Sequence, residues 1–259
     1  MDLFDLSGRV SVVTGGNGGI GLGIAKALGS AGSAVCIWGR NPEKNDRATA
    51  IVRETGSDCA SVVCDVGDPS SVEDAMKITL DRFKRVDGCF ANAGIGGGGR
   101  QPFIERTEAD FQNMMDVNVA GVFRAFKSVA KHMVERSDNG DSFGRLVATS
   151  SLASLFGTAR NEHYAASKSA INSMVKALAV ELARYGITAN AVLPGWVETE
   201  MTESLIGNDR FVTNVLPRIP LRRFGTPADF GGIAIYLMSK ASGYHSGDCI
   251  LIDGGYAAF

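Results

Sequence analysis

The stretch Val10-Ser11-Val12-Val13-Thr14-Gly15-Gly16-Asn17-Gly18-Gly19-Ile20-Gly21 runs from a β-branched segment into a glycine-rich loop, and an apolar helical pattern follows from Ile20 to Ala31. Backbone without side chains lets a pyrophosphate approach closely. The start of the helix adds free N–H groups and partial positive charge. Two glycine registers fit: Gly15, Gly19 and Gly21, or Gly16, Gly18 and Gly21. A plain strand-to-helix turn has similar composition. The place of this loop, between a first strand and a first helix, favours dinucleotide binding. Gly15, Asn17, Gly19, Ile20 and Gly21 are the expected contacts.

Outward from this loop, short β-rich runs alternate with helical patterns. Strands are expected at Val10–Val13, Ala34–Trp38, Ala60–Cys64, Gly88–Ala91, Arg145–Ala148, Thr188–Leu193 and Ile250–Ile252. Several are apolar without alternation, as in strands covered on both faces. Helices are expected near Ile20–Ala31, Glu43–Glu54, Val72–Lys84, Glu108–Glu135, Tyr164–Arg184 and Pro227–Met238, the last with Thr226 as cap. This order predicts an α/β fold, doubly wound, with right-handed crossovers. No linker divides the chain, so residues 1–259 read as one domain. The stretch 198–223 breaks the alternation and reads as a substrate lid.

Composition narrows the function. The chain has 259 residues, 45% hydrophobic and 21% charged, with a net charge of −2. That balance suits a globule with a sizeable core and offers no basic field for nucleic acid. Cys36, Cys59, Cys64, Cys89 and Cys249 are scattered, and no metal-ligand spacing occurs. No apolar run reaches membrane-spanning length, and the start Met1-Asp2-Leu3-Phe4-Asp5 lacks a signal pattern. A cytoplasmic protein is expected.

The chemistry centres on Tyr164 and Lys168, four residues apart on one helix face. A cation there is expected to stabilise a phenolate. Ser151, thirteen residues before Tyr164, can place a hydroxyl beside the phenol. At the end of the second strand, Gly39 removes the carboxylate that binds a ribose 2′-OH, while Arg40 offers charge to a 2′-phosphate. An aspartate at position 39 would be expected to favour the other coenzyme. Asp65, beside Val66, is placed to accept from an adenine amino group, or serves a turn and cap with Asp68. Asn92, Ala93 and Gly94 close the fourth strand, and Gly96–Gly99 follow as a loop near the substrate. Asn118 is polar within an amphipathic helix, where it needs partners and can kink the helix. Pro194, Gly195, Val197 and Thr199 follow the sixth strand at the sheet edge where ligands bind. Trp196 either lines the pocket or anchors the loop. His132, His163 and His245 show no ligand or triad spacing.

Taken together, these motifs resemble the single-domain branch of the short-chain dehydrogenase/reductase family over nearly the whole chain. The resemblance implies a Rossmann-type seven-stranded parallel sheet with helices on both faces, a nicotinamide coenzyme and hydride transfer between it and a carbonyl or alcohol carbon. By family role, Tyr164 is the acid/base, Ser151 orients the oxygen, Lys168 lowers the tyrosine pKa and holds the nicotinamide ribose, and Asn118 positions a water. The family habit of pairing long helices implies a homo-oligomer, a tetramer. Two departures are visible: the loop Asp138–Asp141 is long, and Glu162-His163 stands where small residues are common.

The expected activity is an NADP(H)-dependent oxidoreductase acting on a small ketone or alcohol, with NAD(H) possible. Ala153, Leu155, Phe156, Trp196, Met201 and Phe211 are expected as an apolar wall, which points to a hydrophobic or cyclic substrate. The competing readings are an NAD-dependent alcohol dehydrogenase, a 3-oxoacyl thioester reductase and a nucleotide sensor without catalysis. The intact set Asn118, Ser151, Tyr164 and Lys168 argues against the sensor.

Overall fold

The computed structural model describes residues 2–97 and 101–258. Of the expected loop Gly96–Gly99, Gly98 and Gly99 lie outside the described residues, as does Met1. Seven strands form one sheet: β1 (Val10–Thr14), β2 (Ala34–Gly39), β3 (Cys59–Val63), β4 (Gly88–Ala91), β5 (Gly144–Thr149), β6 (Ile187–Pro194) and β7 (Cys249–Ile252). Their spatial order is β3-β2-β1-β4-β5-β6-β7, with every pair parallel. The order reverses between β1 and β4, and such a switch point opens a crevice at the carboxyl ends of the strands.

The helices are α1 (Gly19–Ser30), α2 (Pro42–Arg53), α3 (Pro69–Phe83), α4 (Glu108–Met115), α5 (Gly121–Asp138), α6 (Glu162–Leu182), α7 (Glu203–Ile206), α8 (Asp209–Val215) and α9 (Gly231–Met238). Successive strand residues point to opposite faces, so each strand feeds two cores. Val12, Cys36, Cys89 and Leu146 meet Val72, Phe126, Ile171 and Val175 of α3, α5 and α6 on one face. Val13, Ile37, Phe90 and Val147 meet Ile24, Leu28, Val52 and Leu237 of α1, α2 and α9 on the other. This double covering is why the strands read as apolar runs without alternation.

Two elements differ from expectation. The helix expected over Glu108–Glu135 carries a π turn at Asp116–Ala120, between α4 and α5. Residues 198–223 hold two short helices, α7 and α8, and not one irregular loop. Within α5, Phe126 is buried against the sheet, whereas Phe123 is half exposed.

The end of the sheet away from the crevice is fixed by a fully buried carboxylate. Asp87 accepts from the Val10 N–H at 2.9 Å and faces Arg9, Arg85 and Arg136. The long loop before β5 supplies Asp141 to Arg85 and Arg136. Burial alone would raise the Asp87 pKa, but Arg85, the Val10 amide and Arg136 hold it below the ordinary carboxylate range.

Candidate active site

A cleft of about 740 Å³ opens at the carboxyl ends of the strands. Its floor is the loop after β1. Gly15 and Gly19 adopt φ of +63° and +49°, which glycine tolerates best. A Cβ on Gly21 would overlap the Gly15 carbonyl and stand 2.5 Å from Asn92 Nδ2. At Gly18 the backbone is extended and a Cβ would meet nothing within 4 Å. The geometry thus selects the register Gly15, Gly19 and Gly21.

Sequence reasoning missed the part that clasps this loop. Thr14 Oγ1 accepts from the backbone N–H groups of Asn92 (3.0 Å) and Ala93 (2.9 Å). Asn92 Nδ2 donates to the carbonyls of Thr14 and Gly15, and Thr149 Oγ1 donates to Asn92 Oδ1. Strands β1, β4 and β5 are therefore locked at the cleft by three polar side chains.

Ser151, Tyr164 and Lys168 meet in this cleft. Ser151 follows β5, Tyr164 lies in the first turn of α6, and Lys168 lies one turn later. The Ser151 side chain stands near the Tyr164 hydroxyl and favours its ionised form. Lys168 is buried, its Nζ donates to the Thr149 carbonyl at 2.8 Å, and it stands 5.7 Å from the centre of the Tyr164 ring. Ser150 Oγ donates to the Lys168 carbonyl and so fastens α6 to the end of β5.

The electrostatics differ from the simple pairing expected from spacing. Burial pushes the Tyr164 phenol above its ordinary value, and the nearby Ser151 side chain opposes this only in part. Burial also brings Lys168 down to about 8. Desolvation disfavours both charged forms. Burial dominates the phenol's titration in this geometry.

Asn118 occupies the π turn and is fully buried. Its Oδ1 accepts from the Ile95 N–H at 2.8 Å, and its Nδ2 donates to the Ile95 carbonyl at 3.0 Å and to Ser167 Oγ at 3.2 Å. Both ends of the amide thus hold the strand-end loop against α6. The extra residue of the π turn inserts where this side chain leaves the helix, a common local device at functional sites.

Asp65, Val66, Ala93, Gly94, Pro194, Gly195, Val197 and Thr199 all line the cleft, as do Ile20 and Asn17. Asp65 Oδ1 accepts from the Gly67 N–H, while Asp68 caps α3 through Ser70. Arg40 is exposed at the rim, with no ion pair among the described residues. Gly39 is more constrained than its sequence suggests. Asn17 Nδ2 donates to Asn45 Oδ1 at 2.7 Å, and a Cβ on Gly39 would overlap both groups. An aspartate at position 39 would dismantle that pair before it met any ribose.

The apolar wall is corrected by the structure. Among its expected members, Met201 lines the cleft. Trp196 packs edge-on against Phe211 at 4.9 Å, and Phe211 stacks at 6.4 Å on Phe224. These rings anchor the segment after β6. Leu155 and Phe156 are exposed. His163 is buried beside Arg106, whose guanidinium also binds Glu162 at 2.8 Å. The unusual Glu162-His163 pair thus has its partner in Arg106, which no sequence signal linked to it. His132 accepts from the Val86 N–H, and His245 binds Tyr236 and Asp248. Among the described residues no group of His, Cys, Asp or Glu is arranged to hold a metal ion.

The family model described as Enoyl-(Acyl carrier protein) reductase matches residues 15–257. The chain belongs to the short-chain dehydrogenase/reductase family. It is 34% identical to gluconate 5-dehydrogenase of Gluconobacter oxydans over 254 residues, covering 98% of this chain and 96% of that one. It is also 34% identical over 251 residues to the 3-oxoacyl-[acyl-carrier-protein] reductase FabG of Chlamydia pneumoniae, covering 96% and 97%. The solved gluconate 5-dehydrogenase of Burkholderia cenocepacia, in complex with NADP and tartrate, superposes with a TM-score of 0.92 at 33% identity, covering 100% of this chain and 98% of that one. As a member of this family the protein is an oxidoreductase of CH–OH and C=O groups that uses a nicotinamide coenzyme. The cradle fits such a dinucleotide. Side chains are absent at Gly15, Gly19 and Gly94, where a Cβ would crowd Ala93, Thr199 and Asn118, and the loop amides at the start of α1 suit a diphosphate.

Proposed function

We propose that this protein is an NADP(H)-dependent oxidoreductase of a small ketone or alcohol, with Tyr164 as acid/base. The observation that carries the catalytic reading is the convergence of Ser151, Tyr164 and Lys168 beside the glycine cradle. The coenzyme, when bound, supplies or accepts the hydride at the substrate carbon. Tyr164 gives its hydroxyl proton to the substrate oxygen in reduction and takes it back in oxidation. Ser151 Oγ holds that oxygen and the phenol together. Lys168 holds the ribose and keeps positive charge beside the phenol as the proton leaves. Asn118 holds the Ile95 loop and, through its place in the π turn, positions a water for proton relay.

The preference for NADP(H) rests on Arg40, exposed at the rim with no carboxylate beside it at position 39. A guanidinium facing a 2′-phosphate forms charge-assisted hydrogen bonds, often bidentate. Met201 and Ile95 give the cleft apolar surface near the reacting groups, which supports a small substrate with an apolar flank. The five free cysteines suit a reducing, cytoplasmic setting.

The test is kcat/KM for NADPH and NADH with one substrate, in the wild type and in Arg40→Met. The wild type should prefer NADPH by about tenfold or more, as charged hydrogen bonds imply. Arg40→Met should lose most of that preference. Equal use of NADH by the wild type would contradict the coenzyme reading and leave Tyr164 untouched.

A further inference from the structure

One side-chain contact crosses the mouth of the cleft. Lys44, in the first turn of α2 and four residues beyond Arg40, donates from Nζ to Glu200 Oε2 at 2.5 Å. The two residues are 156 positions apart, and both line the cleft. Glu200 directly follows Thr199 in the segment that leaves β6. Within that segment Thr202 Oγ1 donates to the Val197 carbonyl, and the Thr199 N–H donates to Thr202 Oγ1. The Lys44 hydrogen bond and charge, together with Arg47 one turn along α2, hold Glu200 below its ordinary carboxylate range. The acidic side chain therefore faces cations of α2, at the rim where Arg40 also stands.

We propose that Glu200 and the 2′-phosphate of the coenzyme compete for Lys44, so that Lys44 and Glu200 together set coenzyme choice and tie the 198–223 segment to α2 when no phosphate is present. The proposal rests on the coenzyme reading of Arg40 and deepens it. The Lys44 and Glu200 side chains are 37% and 73% exposed, so the pair lies in water and can exchange partners. Exposed pairs are weak. A phosphate monoester carries more negative charge and more acceptor oxygens than one carboxylate, and it can be shared between Arg40 and Lys44. It therefore displaces Glu200. A coenzyme ending in a free ribose has no such group and leaves Glu200 on Lys44. The sequence hides this arrangement, because Lys44 reads as an ordinary solvated residue of α2.

The experiment measures Kd for NADP⁺, NAD⁺ and 2′,5′-ADP by calorimetry on the full chain. The variants are Glu200→Gln, Lys44→Gln and the double variant. Glu200→Gln should tighten NADP⁺ and 2′,5′-ADP about two- to fivefold relative to NAD⁺, the scale of an exposed ion pair. Lys44→Gln should weaken both phosphate-bearing ligands about tenfold relative to NAD⁺. In the double variant the gain from Glu200→Gln should vanish, since the competition needs Lys44. An unchanged NADP⁺/NAD⁺ ratio in Glu200→Gln overturns the proposal, as does an equal gain in the Lys44→Gln background. If Arg40→Met erases a clear preference while Glu200→Gln moves nothing, the coenzyme reading stands and this proposal falls. If the wild type shows no preference yet Glu200→Gln creates one, the reverse holds.

Discussion

Lys168 shows most clearly how a single residue trades stability for chemistry. It is a buried cation whose only hydrogen-bond acceptor among the described residues is the Thr149 carbonyl. Its pKa in the folded protein, about 8, lies below the value of about 10.4 expected when unfolded. Between these values the unfolded chain holds the extra proton, so wild-type stability rises with pH across that window. Lys168→Met should accordingly be more stable than the wild type near pH 7, by up to about 3 kcal/mol. That advantage should shrink as pH rises from about 8 to about 10. Thermal denaturation across that range checks it, and a variant less stable at pH 7 would contradict it. The same variant should lose turnover and bind coenzyme less well.

At the scale of elements, the loop joining β1 to α1 separates glycines that matter from one that does not. Gly21→Ala drives a methyl into the Gly15 carbonyl and Asn92, so coenzyme affinity should fall at least tenfold, as expected for a Cβ forced into a packed backbone. Gly18 has extended backbone and its Cβ would meet no protein atom, so Gly18→Ala should leave stability within about 0.5 kcal/mol. Coenzyme titration of Gly21→Ala and urea denaturation of Gly18→Ala check the pair, and an unchanged affinity in the first or a loss above about 1 kcal/mol in the second would contradict the register. The sequence alone left both registers open, because a glycine pattern does not record φ or close approach. Strand positions and order of elements were legible, since two-sided burial writes itself into apolar runs. Tyr164 and Lys168 were legible because helical spacing places them. The Asn17–Asn45 pair, the Thr14 clasp, Arg106 beside His163 and the bridge from Lys44 to Glu200 were not. Each joins residues far apart in the chain, and no local pattern encodes the meeting. The π turn at Asn118 was visible only as a polar residue in an apolar stripe. The place of Trp196 stayed undecided because its partner, Phe211, comes fifteen residues later.

At the scale of the whole molecule, one end of the sheet is held by charge and the other carries the site. Asp87 has its pKa lowered by its arginines, so its contribution is complete above about pH 4 and disappears as pH falls through the lowered folded value. Asp87→Asn should cost about 3–5 kcal/mol, the scale for breaking a buried pair on one side. Urea denaturation at neutral pH checks this, with a loss under about 1 kcal/mol as the contrary result. Assembly is the other property at this scale. The half-exposed rings of Phe111 and Phe123 on α4 and α5 lie outside the core, and the protein is expected to form a homo-oligomer, a tetramer. Light scattering should return a multiple of 27.3 kDa, and a lone 27.3 kDa species at micromolar concentration would contradict it. On the proposed mechanism Tyr164 moves the proton while the cradle holds the coenzyme. It is tested most directly by following nicotinamide absorbance with small ketones and alcohols in the wild type and in Tyr164→Phe, with coenzyme affinity measured on both. The wild type should turn over, and Tyr164→Phe should lose about 10²–10⁴-fold in kcat with coenzyme affinity nearly intact. Retention of a tenth of the wild-type kcat, or tight coenzyme binding by a wild type that reduces and oxidises nothing, would contradict the claim.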